Sequence, residues 1–278
     1  MNGITKALFA IVVAMLVGCA PVNQDAPDVT EMEMNPQPAV QMYSEPSCTL
    51  VVGFESWEPY QYTSVNGEVG GVDIEIAKRA ATHIGCVLRA QQGSWRDLLI
   101  WLQDGEIDLV MGASLTPGRL EYAHFSIPYR NEQFSLFIRS AEARRHDMDS
   151  IDEFLAEGLR VGIVNEYFYG EEMQELMYES EYSDQFVGAR LNELNMARLL
   201  DGDIDGFMED NLVAASIIRR RGFTDLITRH TISLPASEVY VMFSRNAVTE
   251  AEVDEFNLAL QELIDNGFIN ELITRYGG

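Results

Sequence analysis

Between Asp108 and Arg119 the chain reads Asp-Leu-Val-Met-Gly-Ala-Ser-Leu-Thr-Pro-Gly-Arg, an apolar run giving way to residues that can hold an anion. Thr116 is a favoured N-cap and Pro117 a favoured first helical residue, so a helix is expected to start here with Arg119 in its first turn. The positive end of the helix dipole disfavours a cation at that place. Two arrangements offset it: an incoming carboxylate aimed at Arg119 and the free N–H groups, or an ion pair with a neighbouring acid such as Glu121. Other chemistries are poorly represented. His83, His124, His146 and His230 are isolated, with no pair at metal-ligand spacing, so no metal site is expected. No Ser-His-Asp or Cys-His grouping and no glycine-rich phosphate loop can be picked out, and no cofactor is implied.

The elements around this turn alternate in type. Leu50 to Phe54, Val87 to Ala90 and Asp108 to Met111 are short apolar strands, separated by helical spacing over Val72 to Ile84 and Trp95 to Leu102. That is a βαβαβ unit, which forces parallel pairing. An extended run, Gln133 to Arg139, leads into a second set: helix Ile151 to Ala156, strand Leu159 to Val164, helix Glu171 to Tyr178, strand Gln185 to Val187, helix Leu191 to Leu200, strand Asp205 to Met208, helix Leu212 to Arg221. A second extended run, Glu238 to Ser244, precedes helices Glu250 to Ile264 and Ile269 to Tyr276. With both extended runs as crossings, one lobe holds residues 48–138 and 236–278, and the other 139–235. A ligand then sits between them, at the carboxyl ends of both sheets. Cys48 and Cys86 each precede an apolar run; on neighbouring parallel strands they lie level and either bridge or stay as buried thiols.

The chain begins with Lys6 as its only charge before the apolar stretch Ala7 to Val17, too short to span a bilayer. Residues 1–18 read as a signal peptide. Leu16-Val17-Gly18-Cys19 resembles the lipobox of bacterial lipoproteins, which implies cleavage before Cys19, acylation of its thiol and extracytoplasmic anchoring to the membrane through that lipid. Residues 19–47, with prolines at 21, 27, 36, 38 and 46, cannot bury enough surface to fold alone and read as a flexible tether. The formal net charge of -25 excludes nucleic acid as a partner, since a phosphate backbone needs a basic face.

Several segments in order carry a resemblance: Trp57-Glu58-Pro59-Tyr60, Gly70-Gly71-Val72-Asp73-Ile74, Ser94-Trp95-Arg96-Asp97-Leu98, Thr116-Pro117-Gly118-Arg119 and Phe125-Ser126-Ile127-Pro128-Tyr129. Together they resemble the family 3 solute-binding proteins, the amino-acid receptors of ABC importers. The resemblance implies the two-lobed, type II periplasmic-binding-protein fold of class α/β, each lobe a mostly parallel sheet flanked by helices and joined by two crossing strands. It also implies an amino-acid-like solute as ligand and an ABC permease as partner. By the same resemblance Arg119 forks onto the ligand carboxylate, with Ser114 and Thr116 adding donors. Trp57 covers the ligand with Tyr60 nearby, Trp95 lines the side-chain pocket, and Asp210 grips the ammonium. Core packing is the competing reading for the three aromatics, and a cap for the helix from Leu212 is the competing reading for Asp210.

Two departures from the family pattern bear on the ligand. The segment before Thr116 is one residue short, leaving open which of Gly112, Ala113 and Ser114 reaches it. In the second lobe, Tyr167 and Phe168 stand where small hydroxyl residues are usual; their N–H groups can meet a carboxylate while their rings shrink or wall the pocket. Two rival functions share the fold. A sensory or accessory module binds a solute without transporting it, and relatives that are dehydratases of cyclic precursors need a positioned acid, for which Glu55, Glu166 and Glu209 are the candidates near the cleft.

Overall fold

The computed structural model describes residues 48–277. The expected signal segment, Cys19 and the tether of residues 19–47 lie outside the described residues. The first stretch comprises β1 (Cys48–Phe54), β2 (Tyr62–Thr63), β3 (Val69–Gly70), α1 (Val72–His83), β4 (Cys86–Gln92), α2 (Trp95–Asp104), β5 (Leu109–Ala113), α3 (Pro117–Leu120), β6 (Ala123–Phe125) and β7 (Arg130–Glu132). The second comprises β8 (Phe134–Arg139), α4 (Ile151–Ala156), β9 (Val161–Val164), α5 (Glu171–Tyr178), β10 (Phe186–Ala189), α6 (Asn192–Asp201), β11 (Gly206–Asp210), α7 (Asn211–Arg221) and β12 (Ile227–Ser233). The chain then returns through β13 (Ser237–Ser244) to α8 (Glu250–Asp265) and α9 (Phe268–Gly277).

Two sheets result. The first runs β4-β1-β5-β13-β6, with β7 also paired to β13; the second runs β10-β9-β11-β8-β12. In each sheet the strands of the βαβ units are parallel, and the strands that come from a crossing are antiparallel. Helix starts are chemically marked. Ser94 and Asp97 form a capping box at α2, and Thr249 and Glu252 form another at α8. The central strands are buried on both faces by α1, α2, α6 and α7, so Val52, Leu109, Phe207 and Val161 are core residues.

The first crossing comes earlier than the expected boundary at residue 138. All of β8 pairs with β11 and β12, so residues 134–138 belong to the second lobe. The chain passes over between Glu132, which pairs with Ser237, and Phe134, whose carbonyl accepts from the N–H of Leu234 at 2.8 Å. Both crossings therefore run side by side and brace each other. Strand β12 was not expected from the sequence: Ile227-Thr-Arg-His-Thr-Ile-Ser is half-buried with polar residues on its outer face, so it lacks the continuous apolar run of the central strands. Among the described residues no helix is long and apolar enough to cross a membrane.

Cys48 and Cys86 face each other in the parallel β1–β4 register and are joined in a disulfide that closes a 38-residue separation. A bridge of this kind stabilises chiefly by restricting the unfolded chain, typically by about 2–4 kcal/mol. Cys86→Ser should lower the melting temperature of the folded part by roughly 4–16 °C, and reduction of the unaltered protein should do the same. A change under a degree in both would show that the bridge restrains nothing that unfolding releases.

Candidate functional site

The lobes meet over a narrow cavity of about 30 Å³. Its wall is built from Glu55 and Trp57 after β1, Gln61, Trp95 at the start of α2, Met111 and Gly112 of β5, Ser114, Arg119, Glu132 and Phe134 at the crossing, and Tyr167 and Phe168 after β9. The lobes are drawn together across it. Nη2 of Arg119 donates to the carbonyl of Glu166 at 2.9 Å, and Nε1 of Trp95 donates to the same oxygen at 3.2 Å. Nε1 of Trp57 donates to Oε1 of Glu209 at 3.2 Å, and the hydroxyl of Tyr167 donates to Glu55. Outside the cavity, Arg190–Asp97 and Arg220–Glu58 also join the two lobes, each at 2.5 Å.

Local backbone conformation sets the Glu166 contact and shapes the wall at Gly112. Glu166 has a φ of 67°, a left-handed conformation that a side chain with a Cβ rarely adopts and that turns its carbonyl towards the first lobe. Gly112 has a φ of 73°, and a Cβ there would meet Nη2 of Arg130 at 3.0 Å and Oδ2 of Asp73 at 3.3 Å. Only glycine leaves room for that pair directly behind the cavity wall.

The expected site residues fall into two groups. Trp57, Trp95, Ser114, Arg119, Tyr167 and Phe168 all stand on the cavity wall. Arg119 is buried, and Nη1 donates to the carbonyl of Ser114 at 2.9 Å. No carboxylate of the described residues lies within 4.0 Å of its guanidinium, and the alternative partner Glu121 is not used. Among the described residues it is a buried cation whose side-chain hydrogen bonds go to carbonyls, with Glu132 and Glu166 acting on it at longer range and the face of Trp95 at 5.4 Å.

Tyr60, Thr116 and Asp210 are not on the cavity wall. Tyr60 is buried between Trp57, with ring centroids 4.9 Å apart, and the guanidinium of Arg130 at 3.8 Å. Thr116 caps α3, accepting from the N–H of Arg119 at 3.3 Å. Asp210 caps α7: Oδ1 accepts from the N–H groups of Leu212 at 2.9 Å and Val213 at 3.2 Å, while Oδ2 accepts from that of Gln133 at 3.3 Å. The N–H of Tyr167 closes a turn to the carbonyl of Val164 at 3.3 Å.

Six residues at the site escaped the sequence reading: Gln61, Met111, Glu132 and Phe134 line the cavity, and Asp73 and Arg130 form a fully buried bidentate pair behind Gly112, at 2.9 Å and 3.0 Å. The available signal was the period-2 spacing of Arg130-Asn131-Glu132 at the end of a crossing strand, which puts both charges on one face.

The acids of the cleft are unusual. Burial drives Glu55 up to about 7, against the hydrogen bond from Tyr167. It drives Glu132 up to about 8, with Arg130 opposing and Asp210 adding to the rise, and Glu209 up to about 8, against the N–H of Asp210 and the indole of Trp57. Near neutrality these carboxyls hold protons in the folded state that the unfolded chain has given up, so the folded state binds more protons and stability falls as pH rises. The empty protein should therefore lose several degrees of melting temperature between about pH 5 and pH 8.5, as the unfolded and then the folded carboxyls ionise. Glu132→Gln should flatten part of that slope. A melting temperature that climbs over this range would contradict the assignment.

A clamshell of two α/β lobes on paired crossing strands, closing on a polar and aromatic cavity, defines a solute-binding architecture. The sequence over residues 50–278 matches the family described as bacterial extracellular solute-binding proteins, family 3, and the chain belongs to that family. It is 32% identical over 99 residues to a cyclohexadienyl dehydratase of Pseudomonas aeruginosa, covering 35% of this chain and 37% of the relative. It is 31% identical over 91 residues to a probable ABC transporter arginine-binding protein, ArtJ, of Chlamydia trachomatis, covering 32% and 35%. Each match thus spans little more than a third of the relative's length. Among solved structures, a histidine kinase sensor domain with similarity to periplasmic binding proteins superposes with a TM-score of 0.71 at 20% identity, covering 82% of this chain and 95% of that one.

Proposed function

We propose that the protein captures an amino acid or closely related zwitterion in the interlobe cavity outside the cytoplasm, anchored through Cys19, and delivers it to an ABC importer. The observation that carries this reading is Arg119: a buried guanidinium on the cavity wall with no carboxylate partner among the described residues is built to receive one from a ligand. Ser114 beside it supplies a hydroxyl, and Glu55 and Glu132 on the same lobe's wall supply acceptors for an ammonium once they give up their protons. The arginine-binding relative is consistent with the ligand class. A thermal-shift screen of the domain from residue 46 against amino acids and small organic acids tests it, since a ligand that binds only the folded state raises its melting temperature. Stabilisation by one or more amino acids is expected; no shift from any of them would remove the proposal.

One observation favours a second reading. Glu55 and Glu132 hold protons near neutral pH within the cavity, which a general acid in a dehydration requires, and one relative is a cyclohexadienyl dehydratase. Release of an aromatic product from a cyclohexadienyl substrate, followed by ultraviolet absorbance and lost in Glu55→Gln or Glu132→Gln, would favour the enzyme over the receptor.

A further inference from the structure

The cavity is narrow because a side chain of the protein itself stands in it. Its 30 Å³ has room for about two waters and none for an amino acid. Tyr167 follows β9 in the second lobe, yet its ring reaches the first. It lies edge-on to Trp57 with centroids 6.3 Å apart and to Trp95 at 6.2 Å, and its hydroxyl donates to Glu55. Trp57 and Trp95 are only 5% and 7% exposed, so the phenol and the two indoles together shut water out. The tyrosine thus links the lobes through the same wall that a solute would touch.

The segment that carries the ring has the means to move it. Residues 165–170 join β9 to α5 without regular structure. Glu166, with φ of 67°, precedes the tyrosine, and Gly170, with φ of 102°, follows it. Backbone in such sparsely populated regions is held there by its surroundings, and a few residues of this kind can absorb the change in direction of a moving segment. There is also a place for the ring to go. Outside the cavity lies a groove of about 390 Å³ whose lining includes Leu99, Tyr122 and Tyr178. Tyr167 lines both the groove and the cavity and is only half-buried, so it is the partition between them.

Resting on the reading of the cleft as a solute site, we infer that Tyr167 is a built-in occupant of that site: its ring fills the cavity, and a solute enters only as the ring withdraws into the outer groove. The apparent affinity is then the intrinsic affinity scaled by the fraction of molecules whose ring is out. A ring that merely walled the pocket would add to affinity instead, and would leave room for a solute beside it.

The test compares the full chain with its Tyr167→Phe and Tyr167→Ala variants. Trp57 and Trp95, two of the three tryptophans, flank the ring, so their emission reports on it without any solute. Quenching of that emission by acrylamide should rise in Tyr167→Ala. Titration calorimetry with L-arginine and L-glutamine reads affinity. At least one of them should bind Tyr167→Phe about 2–10 times tighter than the unaltered protein, the worth of the lost hydroxyl bond to Glu55. Tyr167→Ala should bind it about tenfold tighter or more, since no ring has to leave. In stopped-flow mixing, the observed rate of the unaltered protein should level off at high amino-acid concentration, limited by departure of the ring, and that of Tyr167→Ala should climb in proportion to concentration. Tyr167→Phe, which keeps the ring, carries the affinity test should the alanine variant not fold. Unchanged quenching together with weaker binding in the variants would make the ring a contact surface for the solute, overturning this inference and leaving amino-acid capture standing. Raised quenching in Tyr167→Ala without binding of either amino acid by any of the three proteins would uphold the tyrosine as occupant and count against amino-acid capture.

Discussion

Asp73→Ala should destabilise the folded part by about 3–5 kcal/mol, the usual cost of stripping one partner from a buried ion pair. The side chains of Asp73 and Arg130 are both fully buried, and the pair is bidentate, from Nε to Oδ1 at 2.9 Å and from Nη2 to Oδ2 at 3.0 Å. The amide of Gln61 adds a third bond to Oδ2 at 3.2 Å, and the ring of Tyr60 lies 3.8 Å below the guanidinium. Nη1 of Arg130 is already buried without a partner, so losing Asp73 leaves an uncompensated charge in a place water cannot reach. For a domain of this size the loss corresponds to roughly 6–20 °C in melting temperature, readable by calorimetry or urea unfolding. The paired replacement Asp73→Leu with Arg130→Met should cost much less than the single change, because it removes both charges together. A single variant within 1 kcal/mol of the unaltered protein would mean that the pair contributes no more than an exposed one. Since the pair sits against Gly112 and beneath Trp57 and Tyr60, its loss should also loosen the first-lobe wall of the cavity.

How this pair escaped the sequence reading explains what a chain exposes of its fold. Strands β5 and β9 and the second half of β1 are largely buried on both faces, so each shows an apolar run visible without context, and β11 shows a shorter one at Phe207-Met208 before its two acids. The turn at Thr116-Pro117-Gly118-Arg119 is equally local, because N-cap preference and the fixed φ of proline act within a few residues. Asp210 showed both its cap spacing and a charge suited to an ammonium, and its carboxylate is engaged with three backbone N–H groups. Asp73 and Arg130, by contrast, are 57 positions apart and look like surface residues in isolation. They become interior only when α1, β5 and β7 converge, and Glu132 becomes part of the cavity only because β7 is a crossing strand. Residues 134–138 were misplaced for a related reason: an extended apolar run shows that it is a strand, but the sheet it joins depends on hydrogen bonds to β11 and β12, far along the chain.

Arg119→Ala should produce the opposite signature from Asp73→Ala, a large loss of ligand affinity with little loss of fold. Among the described residues Arg119 has no ion-pair partner within 4.0 Å whose charge would be stranded by its removal, and burial pulls its guanidinium below the usual range, with Tyr122, Glu132 and Glu166 opposing. Its two hydrogen bonds go to the carbonyls of Ser114 and Glu166, and the second spans the lobes only when they are closed. The melting temperature of the empty protein should therefore stay within about 2 °C, since the modest net value of those bonds is offset by relief of a desolvated charge. Binding should weaken by about 2–5 kcal/mol, roughly 30-fold to several thousand-fold, because the ligand carboxylate would then be buried without its charge partner. Arg119→Lys should recover only part of that loss, as a single ammonium cannot reproduce the planar fork that meets two oxygens at once. Calorimetric titration with the solute that gives the largest thermal shift reads both affinities, and the shift itself should all but vanish in the alanine variant while the unliganded melting curve holds. Unchanged affinity in Arg119→Ala would mean that the carboxylate is held elsewhere on the wall, with Arg119 serving only to draw the lobes together through the carbonyl of Glu166.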